Sequence, residues 1–145
     1  PDKPGHLINL GNSFLARFER LGELTDLEDE MSRQRDAVDL TPNDHPDKPG
    51  CLNSLGHSFF LRFERLGELS DIEDAISGQR NAVELSLDGY PHKPKYLNNL
   101  GNSLQVRFDH LGELTDLADA ISALGDAVDL TPHGDPDKPA CLSIA

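Results

Sequence analysis

The sequence predicts an all-α fold, a right-handed solenoid of antiparallel helix pairs. Three observations predict it: an internal period of 45 residues, apolar side chains spaced by three and four within each period, and helix-stop and helix-start residues between the apolar runs.

The period is read from the tetrapeptide Pro-Asp-Lys-Pro, which opens at Pro1 and Pro46, returns as Pro-His-Lys-Pro at Pro91, and recurs intact at Pro136. Residues 1–45 and 46–90 are identical at 27 of 45 positions without a gap, so duplication made them. The chain reads as a single repeat domain, 1–145, with units 1–45, 46–90 and 91–135 and a partial fourth unit, 136–145. Starting on Pro1 and stopping inside a unit, it is expected to be part of something longer.

Within each unit a first apolar series marks helix A: Leu7, Leu10, Phe14, Phe18, Leu21, echoed by Leu52, Leu55, Phe59, Phe63, Leu66 and by Leu97, Leu100, Leu104, Phe108, Leu111. Steps of three and four place these on one helical stripe. A second series marks helix B: Leu27, Met31, Gln34, Val38, then Ile72, Ile76, Val83, then Leu117, Ile121, Leu124, Val128. Gly22, Gly67 and Gly112 follow the last apolar residue of helix A, where a left-handed stop needs no Cβ. Thr25-Asp26-Leu27-Glu28 and Ser70-Asp71-Ile72-Glu73 read as capping boxes opening helix B, while Ala118 denies the third unit its box. Pro42 and Pro132 close helix B. One hairpin buries too little to offset its ordering entropy, so neighbouring units must stack.

Composition narrows function. Apolar residues are 37% and Trp is absent, a thin core suited to a thin repeat fold. A net charge of −13 opposes the counterion release that drives nucleic-acid binding, and it disfavours anionic membranes too. No apolar run approaches the ~18 residues of a membrane span.

The residues now in hand resemble the tetratricopeptide repeat over nearly the whole chain. The family's pattern falls on Leu52, Leu55-Gly56, Phe59, Ala75 and Ala82, and in the third unit on Leu97, Leu100-Gly101, Leu104, Ala120, Ala127 and Pro132. The common unit of that family is about 34 residues. Here the added residues are expected mainly between helix A and helix B and partly in the inter-repeat loop, as in the long-unit subclass of kinesin light chains and the near-identical arrays of filamentous fungal proteins. Leu stands where the family has its first Trp, Glu30 replaces the first helix B Ala, and Leu87 replaces the closing Pro of the second unit. The resemblance implies a concave groove lined by the A helices that takes a protein or peptide ligand, in the recognition or regulatory arm of a larger fungal protein.

Helical spacing puts Asn12, Asn53, His57, Phe60, Leu61, Asn98, Asn102 and Gln105 on the side of helix A opposite the core stripe, where they form the expected peptide-binding groove. A carboxamide donates and accepts at once, so a column of Asn can pair with the backbone of an extended peptide; bonding to neighbouring helices is its other use. Among the groove positions only Lys95 is basic, which excludes a carboxylate clamp, and Glu19, Glu64 and Asp109 point to a partner with basic character.

Arg17, Arg62 and Arg107 recur at the edge of the stripe and are expected to pair with acidic residues of a neighbouring helix. Cys51 and Cys141 sit two units apart, too far for an intrachain bridge; they are expected to be free thiols or to bridge between chains, which favours a reducing, cytoplasmic compartment. The six His residues lack paired ligand spacing, so no metal is expected, and no cofactor motif or catalytic constellation stands out. The expected role is therefore a binding scaffold and not an enzyme. The alternative is structural self-assembly, a homo-oligomer stacking end to end through units without polar caps.

Overall fold

A computed structural model describes the backbone from Asp2 to Thr131 and the side chains from Arg20 to Thr131. It contains α1 (Asp2–Leu40), α2 (Lys48–Leu66), α3 (Leu69–Glu84), α4 (Lys93–Leu111) and α5 (Leu114–Leu130), with no strand among the described residues. The fourth unit, with Cys141, lies outside them, as do the side chains of Asn12 and Arg17.

The second and third units fold as the periodicity predicts. Helix A is α2 or α4, helix B is α3 or α5, and each pair packs along its length before α3 packs on α4 and α1 on α2. Proline suits the first turn of α2 and α4, where its missing N–H has no helical partner anyway. Gly67 and Gly112 end these helices at φ 72° and 71°, each donating its N–H to the carbonyl of Phe63 or Phe108 at 2.7 Å. A side chain would be strained at that φ.

Two punctuation readings are corrected. The A-to-B connection is only two residues, Gly67-Glu68 and Gly112-Glu113, so the added length does not lie there, whereas the link between the second and third units runs over 85–92. Leu69 is already helical, which places Ser70 inside the first turn; neither α3 nor α5 has a side-chain cap, and losing the box at Ala118 distinguishes nothing.

The larger correction is the first unit. The heptapeptide Leu-Gly-Glu-Leu-Thr-Asp-Leu is identical at 21–27 and 111–117. It makes a hairpin turn in the third unit yet runs uninterrupted through α1 in the first, where Thr25 donates its hydroxyl to the Leu21 carbonyl at 3.0 Å instead of capping a helix. The cause is visible on helix B. In the later units it meets helix A through small residues: Ala75 and Ala120 are 0% and 2% exposed, and a Cβ on Gly78 would lie 3.2 Å from the Leu52 carbonyl oxygen. The equivalent positions in α1 are Glu30 and Arg33, ion-paired at 2.7 Å and exposed. Closing the first hairpin would drive both charges into that contact, and burying charge is costly.

The core is continuous across the units: Met31, Phe59, Phe63, Ile72, Ala75, Ile76, Leu97, Leu100, Leu104, Ala120, Ala123 and Ala127 form one cluster, with Leu55 packed against it. The last stripe residues, Leu66 and Leu111, are exposed instead. Position matters on helix B as well. Met31 and Ile76 are 1% and 2% exposed beneath the next unit, while their equivalent Ile121 is 63% exposed. Each unit thus buries its neighbour's apolar face, as nearest-neighbour stacking requires.

Three polar devices recur along the repeats. Arg62 bonds Asp71 at 2.8 and 3.1 Å, and Arg107 grips Asp116 in a two-oxygen fork at 2.8 and 3.0 Å. The arginine pairing expected at the edge of the stripe is therefore present in both, and it holds helix A to helix B of its own unit; the carboxylate hydrogen bond raises each guanidinium above its ordinary pKa. The Lys of the Pro-Asp/His-Lys-Pro signature reaches back to the preceding helix end: Lys48 Nζ donates to the carbonyls of Val38 and Thr41, and Lys93 Nζ to that of Ser86 at 2.9 Å. Free carbonyls at a helix C-terminus favour a cation. Finally, Thr41, Ser86 and Thr131 each donate a hydroxyl to the carbonyl four residues earlier, at 2.6 to 2.7 Å.

Candidate functional site

The two complete A helices, α2 and α4, lie side by side, joined where Asn99 Nδ2 donates to Asn53 Oδ1 at 3.2 Å. Just beyond this bond, a pocket of about 90 Å³ opens between α2, α3 and α4, lined by His57, Phe60, Gln79, Asn99, Asn102 and Ser103. Periodicity explains the collection. His57 and Phe60 are three apart on α2, Asn99, Asn102 and Ser103 follow the same spacing on α4, and Gln79 rises from α3 opposite Gly56. A Cβ on Gly56 would stand 3.0 Å from Gln79 Cγ, so this glycine is what lets the Gln79 side chain in.

Of the eight residues expected to line a groove, His57, Phe60 and Asn102 come together here. His57 is exposed; Phe60 and Asn102 are half-buried, Phe60 also packing on the core. Asn53 departs from expectation: it is buried, and its carboxamide oxygen serves the α2–α4 contact, the local use of such a side chain. Leu61 and Asn98 are half-buried and Gln105 exposed, all outside the pocket, and Asn98 Oδ1 is buried without a partner. Sequence reasoning missed Asn99, Gln79 and Ser103. A signal for Gln79 existed: its counterpart in the third unit is Leu124, an apolar side chain against Gly101, so the second unit places an amide where the fold accepts a leucine.

The floor of the pocket is chemically unusual. Gln79 and Ser103 are 1% and 0% exposed, and Gln79 Oε1 and Ser103 Oγ have no hydrogen-bond partner. Leaving a buried polar group unpaired costs roughly 1–3 kcal/mol. No carboxylate, Lys or Arg lines the pocket. Exposed acids at Glu64 and Asp109 lie elsewhere on the same two helices.

A second cleft, about 560 Å³, lies at the start of α2 and includes Glu30, Gln34, Cys51, Tyr90, His92 and Tyr96. Cys51 is a free, half-buried thiol. Burial pushes the Tyr96 hydroxyl up to about 12, with a hydrogen bond to Tyr90 contributing. Among the described residues no group of three or more His, Cys, Asp or Glu side chains is placed to hold a metal ion, and no helix is long and apolar enough to cross a membrane.

The class defined by these observations is an all-α chain of repeated helical units with a polar-floored pocket between successive A helices. Comparison with family models, with curated proteins and with solved structures found no match for this chain.

Proposed function

We propose that this chain is a protein–protein interaction scaffold of the long-unit tetratricopeptide type, a right-handed solenoid that holds a peptide segment in the concave groove formed by its A helices. One observation carries the reading: His57 and Phe60 of α2 and Asn102 of α4, assigned to a groove by spacing alone, surround one pocket. An aromatic anchor beside several convergent polar groups is the usual composition of a recognition site. Through its resemblance, the chain is read as the recognition or regulatory arm of a larger fungal protein working in the cytoplasm. Its role is binding and not catalysis.

A peptide array probed with the wild type and with Phe60→Ala and Asn102→Ala tests this. Loss of the same spots in both variants supports the groove, and an unchanged spot pattern refutes it.

Self-assembly is the second reading, favoured by Ile121, whose exposed side chain continues the face that Met31 and Ile76 bury against their neighbours. Light scattering over a dilution series separates the two. Mass that falls on dilution and is fixed at the monomer by Ile121→Asp supports stacking, while a monomer at every concentration rejects it.

A further inference from the structure

We infer that the cleft of about 560 Å³ at the start of α2 is a second binding site, which takes a basic side chain, arginine or lysine, from a protein partner. It shares no lining residue with the pocket between α2, α3 and α4, so it stands or falls apart from the groove.

The aromatic wall of this cleft is made of departures from the repeat. The chain has only two tyrosines, Tyr90 and Tyr96, and both line it. The third ring, His92, interrupts the Pro-Asp-Lys-Pro signature where Asp47 stands one unit earlier. The junction of α1 with α2 forms with His45, Asp47 and Cys51 in these three places, so stacking of the units does not require the rings. Yet the three meet: Tyr90 and His92 lie 5.6 Å apart at 72°, with Tyr96 at 6.2 and 6.4 Å from them. Tyr96 is buried, while Tyr90 is half-buried and His92 exposed, so those two are the rings a ligand reaches.

The straight first unit supplies another wall. Ala82 and Ala127 are 0% exposed in the later units, but their equivalent on α1, Ala37, is exposed and lines the cleft together with Glu30. Arg33 balances Glu30 at 2.7 Å. Asp47 has no such balance: its side chain is 80% exposed, and among the described residues its one charge partner is His45 Nδ1 at 3.8 Å, a nitrogen that already accepts the Asp47 N–H at 3.0 Å. No Lys or Arg lines the cleft.

These walls select a cation. The face of an aromatic ring attracts positive charge within about 6 Å, and a carboxylate does so at longer range. An anion would be repelled by Asp47, and an apolar group would gain nothing from it. Arginine and lysine add a long apolar stem that packs on a tyrosine while the charged head stays near the carboxylate. Glu30, Asp47 and His92 are all exposed, so the cleft is open to a side chain carried on another protein.

The test uses the full 145-residue chain, whose tyrosine emission comes from the cleft alone because Trp is absent. The titrants, at constant ionic strength, are the pentapeptide acetyl-Gly-Gly-Arg-Gly-Gly-amide, its lysine and neutral citrulline analogues, and spermidine. The expected result is a saturable change with the arginine or the lysine peptide, and binding of the citrulline peptide weaker by about fivefold or more. Asp47→Asn and Tyr90→Ala should each weaken the basic peptide about threefold or more, whereas Asp74→Asn, an equal charge change at an exposed site on α3, should leave it within about 1.5-fold. Should Tyr90→Ala misfold, Asp47→Asn decides alone. The site is overturned by no saturable change with either basic peptide, by equal binding of the citrulline peptide, by equal losses in Asp47→Asn and Asp74→Asn, or by full affinity in a folded Tyr90→Ala. Spermidine binding without peptide binding overturns it as well, since the cleft would then serve a free polyamine.

Discussion

Replacing Arg62 by Met removes the one hydrogen-bonding partner that the Asp71 carboxylate has among the described residues, at a site where that group is 2% exposed and one of its oxygens is already unpaired. Breaking a buried ion pair on one side costs about 3–5 kcal/mol, because an uncompensated charge stays behind. The second change Asp71→Leu removes the stranded charge and is expected to recover most of the loss. Arg107→Met should behave alike, since Asp116 is 3% exposed in the same arrangement. The first unit should not. Its counterpart carboxylate, Asp26, lies on the continuous helix α1. Asp26 is exposed, so Asp26→Leu is expected to change stability by less than about 0.5 kcal/mol. Urea denaturation followed by circular dichroism at 222 nm reads all four. Were Asp26→Leu to cost as much as Arg62→Met, the first unit would be a closed hairpin in solution and the reasoning from Glu30 and Arg33 would be wrong.

Three further outcomes are expected. Gly67→Ala and Gly112→Ala each force a Cβ into positive φ and should cost about 1–2 kcal/mol, whereas Gly22→Ala, inside α1, should stabilise by up to about 1 kcal/mol; chemical denaturation measures the opposite signs. Ile76→Ala empties a buried site and should cost about 2–5 kcal/mol, while Ile121→Ala at a 63% exposed site should fall within about 0.5 kcal/mol of the wild type in the same assay. Tyr96, held protonated by burial with its pKa raised to about 12, contributes stability that is complete below the ordinary value of 10 and is lost as pH rises through 12. In Tyr90→Phe, which leaves one tyrosine, absorbance at 295 nm should show titration well above pH 10, and a midpoint at 10 would mean the ring is solvated.

What could be read in the sequence was whatever repeats with a helical period. Leu52, Phe59, Ile72 and Leu100 reach the core because spacing alone fixes the face a helical residue occupies, and Arg62 and Arg107 each find an acid on the neighbouring helix because a long guanidinium at the margin of a stripe needs one. What could not be read depended on contact between helices. Ser70 has the chemistry of a cap, but the turn before it is too short to leave it outside the helix. Gly22 has the chemistry of a stop, yet an identical heptapeptide bends in one unit and not in another because Glu30 and Arg33 occupy the closest approach of helix A and helix B. Glu30 stood out as a departure from the repeat; that Arg33 shares its contact emerges only once Gly78 is seen against Leu52. Asn53 and Asn102 fall on the same expected groove face by spacing, and only the crossing of α2 and α4 makes one a strut and leaves the other at the pocket.

The groove is tested most directly by titrating the 15N-labelled chain with a peptide selected on it and mapping the backbone amide shifts. The account predicts saturable shifts centred on His57, Phe60, Asn102 and Ser103, with the outer faces of α3 and α5 unmoved. Shifts centred on those outer faces would place the ligand on the wrong side of the repeats and contradict it.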